Sequence, residues 1–269
     1  MLPTPSTSHV SYDTIYEPAE DSYLFLDTLS SPSETEWLHA RFATSSDPSM
    51  TSSSLSPAPF LVELGPGSGV IIAFLTTHAC TIFGRDILSL GIDVNTYACQ
   101  ATRMTAEKAL AEPKGSNGTS NSNSIYMSSV SGDLTTALRP SEVDILVFNP
   151  PYVPTDSVPT FPGTSSADGK ISFEESSHLL SLSYAGGADG MEVTNRMLAQ
   201  IPEVLSSRGV AYILFCRGNK PEQVKAWIAT WEGTEEWKWC AETVGTSGKT
   251  AGWEMLEIVR IWRQSNQGA

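Results

Sequence analysis

An asparagine followed by two prolines and a tyrosine stands at the end of an apolar run, a spacing suited to binding a planar amino group. The run Val143–Phe148 has the character of a buried parallel strand, and Asn149, Pro150, Pro151 and Tyr152 follow it directly. Both prolines fix φ and lack an N–H, so the chain leaves the strand stiffly. Open α/β sheets bind ligands at this edge. We therefore expect Asn149 and nearby backbone carbonyls to act as fixed acceptors for an –NH2 group, with Tyr152 packed on it.

A glycine-rich turn follows an earlier predicted strand. The segment Glu63–Gly69 reads E-x-G-x-G-x-G and lies between the strand Phe60–Leu64 and a predicted helix. Glycines let the backbone turn tightly and let a ligand approach it closely. A dinucleotide site would need a small residue where Val70 stands, which disfavours an NAD enzyme. The spacing instead resembles motif I of the class I S-adenosylmethionine-dependent methyltransferases.

Two further acids follow predicted strands. Asp93 ends the strand Leu88–Asp93, where an acid can accept hydrogen bonds from ribose hydroxyls, although a turn at a strand end also favours Asp. Asp133 follows the strand 125–130 and can accept from an adenine amino group while Leu134 covers the ring; the alternative is an N-cap for the next helix. With the glycine turn, these residues predict a cofactor that contains a nucleoside.

Strand and helix patterns alternate from residue 60 and predict a mostly parallel sheet covered on both faces. Strands are predicted at 60–64, 88–93, 125–130, 143–148, 209–215, 237–244 and 253–262, and helices at 18–29, 70–78, 96–111, 191–205 and 221–231. The last two strands are predicted to form a hairpin, which makes one strand antiparallel.

The remaining segments are expected to lie at the surface. Residues 1–14 are predicted to be a flexible arm and residues 15–269 a single domain. The domain is expected to carry surface-loop insertions near 30–58, 113–124 and 155–172, the first with a short helix near Trp37.

Composition limits the classes of function. The 269 residues include 16 Lys and Arg against 30 Asp and Glu, a formal charge of −14, which argues against a protein that grips a phosphate backbone by itself. The cysteines form no C-x-x-C and the histidines are not at metal-binding spacing, so no metal site is expected. Free thiols are expected at all four cysteines, Cys80, Cys99, Cys216 and Cys240. No run is long and apolar enough for a membrane span and no secretory leader is evident, which predicts a cytoplasmic location, with the nucleus as the alternative.

Taken in order, the motifs resemble the eukaryotic HemK-type glutamine methyltransferases, which modify the glutamine of the Gly-Gly-Gln motif in class 1 translation release factors. The resemblance covers about residues 12–263 and depends on the segments Tyr16–Ser22, Glu63–Gly69, Asp93, Asp133–Leu134, Asn149–Tyr152 and Ala185–Gly190. It implies a Rossmann-like class I methyltransferase fold, an α/β architecture with a seven-stranded, mostly parallel sheet in the order 3-2-1-4-5-7-6.

The resemblance also implies residue roles. S-adenosylmethionine contacts are implied at Ser22, Glu63, Gly65, Gly67, Asp93, Asp133, Leu134 and Asn149. Catalytic roles are implied for Asn149, Pro150 and Tyr152, and substrate contacts for these three and Pro151. The Asn149 Oδ1 and the Pro150 carbonyl would hold the two N–H bonds of the amide. The chain departs from the family at Ser22, where Thr is more usual, and at Pro66, where Ser or Ala is more usual.

A partner subunit is implied as well. The eukaryotic enzymes work with a small zinc-binding activator, and the predicted strand order leaves the strand containing Ile125, Tyr126 and Met127 at the edge of the sheet. An open edge is a liability unless it is covered. We expect this strand to pair with the activator by strand addition, forming a heterodimer; the alternative is that the loop 113–124 protects the edge.

Two other functions share part of this pattern. An adenine-N6 methyltransferase acting on DNA or RNA would use the same tetrapeptide but would need a basic groove, which the acidic composition disfavours. A non-catalytic cofactor-binding subunit would not need the intact tetrapeptide Asn149–Tyr152 or the acid Asp93.

Overall fold

A seven-stranded sheet lies at the centre of a computed structural model of the protein, which describes residues 2–42, 56–112, 123–160, 171–248 and 255–266. Its strands are β1 (Phe60–Leu64), β2 (Leu88–Asp93), β3 (Ile125–Ser131), β4 (Val143–Phe148), β5 (Leu205–Cys216), β6 (Trp237–Thr246) and β7 (Leu256–Ser265). Their order is β3-β2-β1-β4-β5-β7-β6, with β7 antiparallel to both neighbours and the other pairs parallel. The predicted order and the single antiparallel strand are confirmed.

Helices cover both faces of this sheet. They are α1 (Glu20–Leu29), α2 (Pro32–Phe42), α3 (Val70–Thr77), α4 (Ala79–Phe83), α5 (Thr96–Ala111), α6 (Phe173–Tyr184), α7 (Glu192–Val204) and α8 (Pro221–Ile228). One buried apolar cluster joins the sheet to α1–α4 and another joins it to α7 and α8. All six residues of β4 are buried, as expected for a parallel strand covered on both sides. Within the described parts of the chain, no helix combines the length and the apolar character that a membrane crossing requires.

The first predicted surface loop is largely helical where the structure describes it. The sequence predicts a loop over residues 30–58 with a short helix near Trp37, but α2 occupies three turns of this segment. Its apolar positions Leu38 and Phe42 are one turn apart and are buried against the core. Two such positions are a weak periodic pattern, so the extent of the helix depends on packing that the sequence does not display. Residues 43–55 of this predicted loop lie outside the described residues.

A buried ion pair fixes α2 on the sheet. Glu34 is 3% exposed and accepts hydrogen bonds from Arg260 Nη1 on β7 at 2.6 Å and from the Tyr212 hydroxyl on β5 at 2.8 Å. The Arg260 guanidinium also stacks on Trp37 and Trp262, at 4.1 and 4.7 Å from the ring centroids. Breaking such a pair leaves an uncompensated charge in the core, so the side chain of Glu34 is part of what holds the helix in place.

The described N-terminal residues contact the domain at several points. Over residues 2–14, Val10 is buried in a small cluster with Ala98 of α5, and the Pro3 carbonyl lies 2.9 Å from His78 Nε2. The sequence predicts flexibility here because the segment is polar and lacks a periodic pattern. The flexible arm stays a prediction, with these apolar and backbone contacts as the places where the segment meets the domain.

The second half of the molecule differs from the predicted boundaries. Helix α6 follows the predicted loop 155–172 and begins after Ser172, whose hydroxyl accepts from the Glu175 N–H at 3.1 Å as an N-cap. The strands β5 and β6 extend beyond their predicted limits, and β7 begins and ends three residues later than predicted. Residues 113–122 and 161–170, which fall in predicted loops, lie outside the described residues, as do residues 249–254.

Candidate active site

A cavity of about 630 Å³ opens at the carboxyl ends of the central strands. Its wall includes ten residues that the sequence predicts for a site: Ser22, Glu63, Gly65, Gly67, Asp93, Asp133, Leu134, Asn149, Pro151 and Tyr152. Pro150 is buried and stands outside the wall. A cavity of this size is within the range of about 300–1,000 Å³ that suits small-molecule ligands. The fold therefore brings residues from distant parts of the chain around one space.

The glycine turn between β1 and α3 needs glycine for steric reasons. Gly69 has φ +79°, and a Cβ at this position would lie 2.6 Å from Thr102 Cα on α5. Gly65 has φ +59°, and its N–H donates to the Ile92 carbonyl on β2 at 2.8 Å. A side chain at Gly69 would strain the backbone and separate α3 from α5. The turn thus brings backbone N–H groups close to the cavity.

Asp93 is a buried carboxylate at the end of β2. Its Oδ1 accepts from the Asn95 N–H at 2.8 Å and its Oδ2 from the Gly67 N–H at 3.2 Å. Burial raises the pKa of Asp93 to about 6, while these two backbone donors act in the opposite direction. The carboxylate is therefore mostly ionised at neutral pH and can accept further hydrogen bonds from hydroxyl groups in the cavity.

Glu63, at the end of β1, has a different electrostatic character. It is 1% exposed, and its Oε2 has no hydrogen-bond partner among the described residues. Burial raises the pKa of Glu63 to about 8, and the negative charge of Asp93 adds to this shift. A buried acid with an unsatisfied oxygen stabilises a cation placed beside it, because the cation favours the ionised carboxylate.

The segment after β3 is held in an unusual backbone conformation. Leu134 has φ +52°, in the left-handed region that is unfavourable for a branched side chain, and it is 7% exposed on the cavity wall. Asp133 forms an ion pair with Arg196 of α7 in which each side chain is half exposed. Sequence reasoning missed Arg196, because nothing in its local spacing indicates a contact with a residue 63 positions away.

Asn149 is held in one orientation by an acid from α1. Its Nδ2 donates to Asp21 Oδ2 at 2.9 Å, and its Oδ1 is buried without a partner among the described residues. A carboxylate oxygen accepts hydrogen bonds, so the amide nitrogen must face Asp21 and the amide oxygen must face away from it. Asp21 is 5% exposed, and its Oδ1 accepts from the Ser22 N–H at 2.7 Å. The tetrapeptide therefore presents an unsatisfied acceptor in the wall of the cavity.

The contact between Asp21 and Asn149 was not predicted. The sequence indicates Asp21 only as one residue of the segment Tyr16–Ser22, which is part of the family resemblance. The acid does lie in the first turn of α1. Its burial against Asn149 depends on tertiary packing, for which an acid at a helix start is not a sufficient signal.

The edge of the sheet far from β6 exposes apolar side chains. In β3, Ile125 and Met127 are each 55% exposed, while Tyr126 is half-buried and its hydroxyl lies 2.5 Å from Ser129 Oγ. Among the described strands, β3 pairs with β2 alone. The predicted edge position of these three residues is confirmed, and they lie apart from the cavity wall.

The described residues contain no group of three or more His, Cys, Asp or Glu side chains arranged to hold a metal ion. All four cysteines are free thiols, as the sequence predicts. Burial and the charge of Asp93 raise the pKa of Cys99 to about 11, so this thiol near the cavity is not a reactive nucleophile at neutral pH.

Comparisons with known proteins identify similar chains. The protein is 30% identical over 227 residues to the methyltransferase HEMK2 of Homo sapiens, covering 82% of each chain. It is 29% identical over 273 residues to the eRF1 methyltransferase catalytic subunit mtq2 of Schizosaccharomyces pombe, covering 99% of this chain and 98% of that protein. No protein-family model matches the chain.

A solved structure shares the fold. The Mtq2–Trm112 complex of E. cuniculi, described as responsible for methylation of the eRF1 translation termination factor, contains a chain that matches with a TM-score of 0.51 and 19% identity. The match covers 93% of this protein and 99% of that chain. The seven-stranded architecture is thus that of a class I, Rossmann-like methyltransferase.

Proposed function

The chain belongs to the HEMK2/Mtq2 family of methyltransferases, and on this basis we propose that it methylates the side-chain amide nitrogen of a glutamine in a class 1 translation release factor. The methyl donor is S-adenosylmethionine and the target is the glutamine of the Gly-Gly-Gln motif. The reaction is an N-methyl transfer by a catalytic subunit that works with a small activator.

The observation that carries this proposal is the fixed orientation of Asn149. Because its Nδ2 is bound by Asp21, its Oδ1 is left as a buried acceptor without a partner among the described residues. A buried acceptor of this kind is costly unless a ligand satisfies it. The N–H of a planar amide supplies that partner, and a second N–H of the same amide can be accepted by the Pro150 carbonyl.

The cavity residues fit the chemical parts of S-adenosylmethionine, which supplies an electrophilic methyl group on a sulfonium. Asp93 would accept hydrogen bonds from the ribose hydroxyls. Glu63, whose Oε2 lacks a partner among the described residues, would accept from the cationic amino-acid part, and that positive charge would favour the ionised carboxylate. Leu134 provides an apolar surface for the adenine ring, and Asp133 an acceptor for its amino group.

The protein activates a poor nucleophile mainly by positioning it. The nitrogen lone pair of an amide is delocalised, so the reaction needs accurate alignment and stabilisation of positive charge on nitrogen. Asn149 Oδ1 and the Pro150 carbonyl provide both by accepting the N–H bonds. Losing one preorganised hydrogen-bonding group of this kind costs about 10²- to 10³-fold in turnover. We expect Asn149→Ala to lose turnover by this amount and to keep most of its cofactor affinity.

The activator is a small zinc-binding subunit that covers the edge of the sheet. Ile125 and Met127 are exposed apolar residues on an edge strand, and strand addition would bury both and satisfy the free backbone groups. Met127→Lys should weaken the heterodimer, whereas Ser128→Thr on the same strand serves as a control. Equal co-purification of the activator with wild type and Met127→Lys would contradict this interface.

Methyl transfer to the release factor tests the function directly. Purified heterodimer is incubated with S-adenosylmethionine labelled in the methyl group and with release factor carrying either Gly-Gly-Gln or Gly-Gly-Ala. Label should appear only in the Gly-Gly-Gln protein and should be lost with Asn149→Ala. Label in Gly-Gly-Ala protein, or in DNA or RNA supplied instead, would refute the assigned substrate.

A further inference from the structure

Asn219 is a buried amide outside the cavity wall that contacts the far end of the substrate tetrapeptide. It lies in the 3-10 turn Arg217–Asn219 after β5 and is 4% exposed. Its Nδ2 lies 3.0 Å from the Asp189 carbonyl, 3.3 Å from the Tyr152 carbonyl and 3.5 Å from the Gly190 carbonyl. One amide group therefore joins the end of β5, the tetrapeptide and the segment 188–190.

The orientation of this amide is fixed by its partners. Asn219 Oδ1 accepts from the Cys216 N–H at 2.9 Å, while three backbone carbonyls surround Nδ2. Only the nitrogen can donate to carbonyl oxygens, so the reverse orientation would place oxygen against oxygen. The Tyr152 carbonyl is thereby occupied by a protein donor.

The glycine-rich segment Ala185–Gly190 packs directly on the same backbone. A Cβ at Gly190 would collide with the Tyr152 carbonyl, and one at Gly186 would collide with the Pro151 carbonyl. Gly190 also has φ +67°, which favours glycine independently. These two glycines are needed because backbone approaches backbone here, and their position is coupled to that of the tetrapeptide.

Further backbone bonds extend the contact along the chain. The Val153 N–H donates to the Tyr184 carbonyl and the Gly186 N–H to the Val153 carbonyl, each at 2.9 Å, and the Thr155 N–H donates to the Gly187 carbonyl at 3.0 Å. The exit from the tetrapeptide is thus held over several residues, with Asn219 as the side chain that ties it to the sheet.

We propose that Asn219 is a positioning residue for methyl transfer, an inference that depends on the proposed function. It fixes the backbone at Tyr152, and with it the Tyr152 side chain in the wall of the amide site. The substrate amide is then held in register with Asn149 Oδ1, the acceptor that aligns its nitrogen.

The test compares Asn219 variants with controls of similar stability. Asn219→Ala removes the side-chain amide and all its hydrogen bonds. Asn219→Asp keeps the size and the oxygen that accepts from the Cys216 N–H, but it places a second oxygen against the carbonyls where Nδ2 donated. Ile228→Val and Ile228→Ala, at a fully buried position of α8 away from the cavity, provide a graded loss of stability. All are assayed as the heterodimer for thermal midpoint, binding of S-adenosylhomocysteine, kcat and KM for release factor.

A positioning role predicts a specific split between these measurements. Asn219→Ala should lower kcat at least tenfold more than the Ile228 variant that has the same thermal midpoint, and Asn219→Asp should lower kcat further. Both Asn219 variants should bind S-adenosylhomocysteine within about twofold of the wild-type affinity. Hydrogen exchange of Val153 and Gly186 should accelerate in the Asn219 variants and not in the controls. A kcat equal to that of the stability-matched control would overturn the inference, whereas a wild-type heterodimer without methyl transfer would instead refute the proposed function.

Discussion

Replacing Asp21 by Asn tests whether the orientation of Asn149 determines the rate. In the structure, Asp21 Oδ2 accepts from Asn149 Nδ2 at 2.9 Å in a site where Asp21 is 5% exposed. An asparagine at position 21 can also accept this bond, but it equally allows Asn149 to turn over and present its NH2 group to the substrate. Asp21→Asn therefore conserves the size of the side chain but removes the carboxylate that forces the Asn149 amide into a single orientation.

The magnitude follows from the type of bond that is changed. A hydrogen bond to a charged group contributes about 1.5–3 kcal/mol and a neutral one about 0.5–1.5 kcal/mol, so the difference is about 1–1.5 kcal/mol. If this energy serves to orient Asn149, Asp21→Asn lowers kcat by about 5- to 13-fold. Asp21→Ala removes the whole bond and should cost about 10- to 150-fold.

The assay separates orientation from cofactor binding. Single-turnover methylation of release factor is measured with saturating S-adenosylmethionine, and S-adenosylhomocysteine affinity is measured by calorimetry. Glu20→Gln, at an exposed acid adjacent to Asp21 in the first turn of α1, is the matched control for the loss of one negative charge. Rates for Asp21→Asn within twofold of Glu20→Gln would show that Asp21 does not orient the catalytic amide.

Three other outcomes can be measured on the same protein. The pKa of Glu63 is about 8 in the free protein, and a cationic ligand requires the ionised carboxylate. Cofactor affinity should therefore fall about tenfold per pH unit as the pH decreases below 8. Calorimetry should show that Glu63→Gln flattens this pH dependence. Arg196→Gln should change the KM for cofactor by no more than about fivefold with kcat conserved, since a half-exposed ion pair contributes about 0.2–1 kcal/mol; a larger loss of kcat would contradict a role confined to Asp133. Glu34→Ala should lower the free energy of unfolding by about 1–3 kcal/mol, because Arg260 Nη1 and the buried Tyr212 hydroxyl lose their acceptor while Arg260 Nη2 keeps Glu242; an unchanged thermal midpoint would refute that account.

The strands of the sheet could be predicted because the relevant patterns are local, whereas their order was implied by the family resemblance. Each parallel strand is a short apolar run, and each run is separated from the next by a segment with helical character or by turn residues. Helix α2 shows where this fails. Its buried face consists of Glu34, Leu38 and Phe42, and the first of these is a charged residue that no hydrophobic pattern would place in the core. The positions of Arg260 and Tyr212 on two distant strands make that burial favourable.

The site residues likewise fall into those that a local pattern indicates and those that depend on distant contacts. Glu63, Asp93 and Asn149 were identified because each follows a strand whose carboxyl end must lie at the ligand-binding edge of the sheet. Asp21 contacts Asn149 across 128 positions of sequence, and Asn219 contacts the Tyr152 carbonyl across 67. Such contacts are decided by how helices and turns pack around the sheet, and a single sequence carries no spacing rule for them.

The polar groups around Asn149 favour the proposed neutral amide over a charged amine as substrate. An ammonium substrate must lose a proton before it can attack, so it needs a free base beside the acceptors. Asp21 touches Asn149 but has both oxygens engaged, Oδ2 by Asn149 Nδ2 and Oδ1 by the Ser22 N–H. The Tyr152 carbonyl is engaged by Asn219 in the same way. The Asn149 Oδ1 is a neutral acceptor without a partner among the described residues, and the proposed second acceptor, the Pro150 carbonyl, is neutral as well. Two neutral acceptors match the two N–H bonds of a primary amide, whose proton can depart after methyl transfer without a dedicated base.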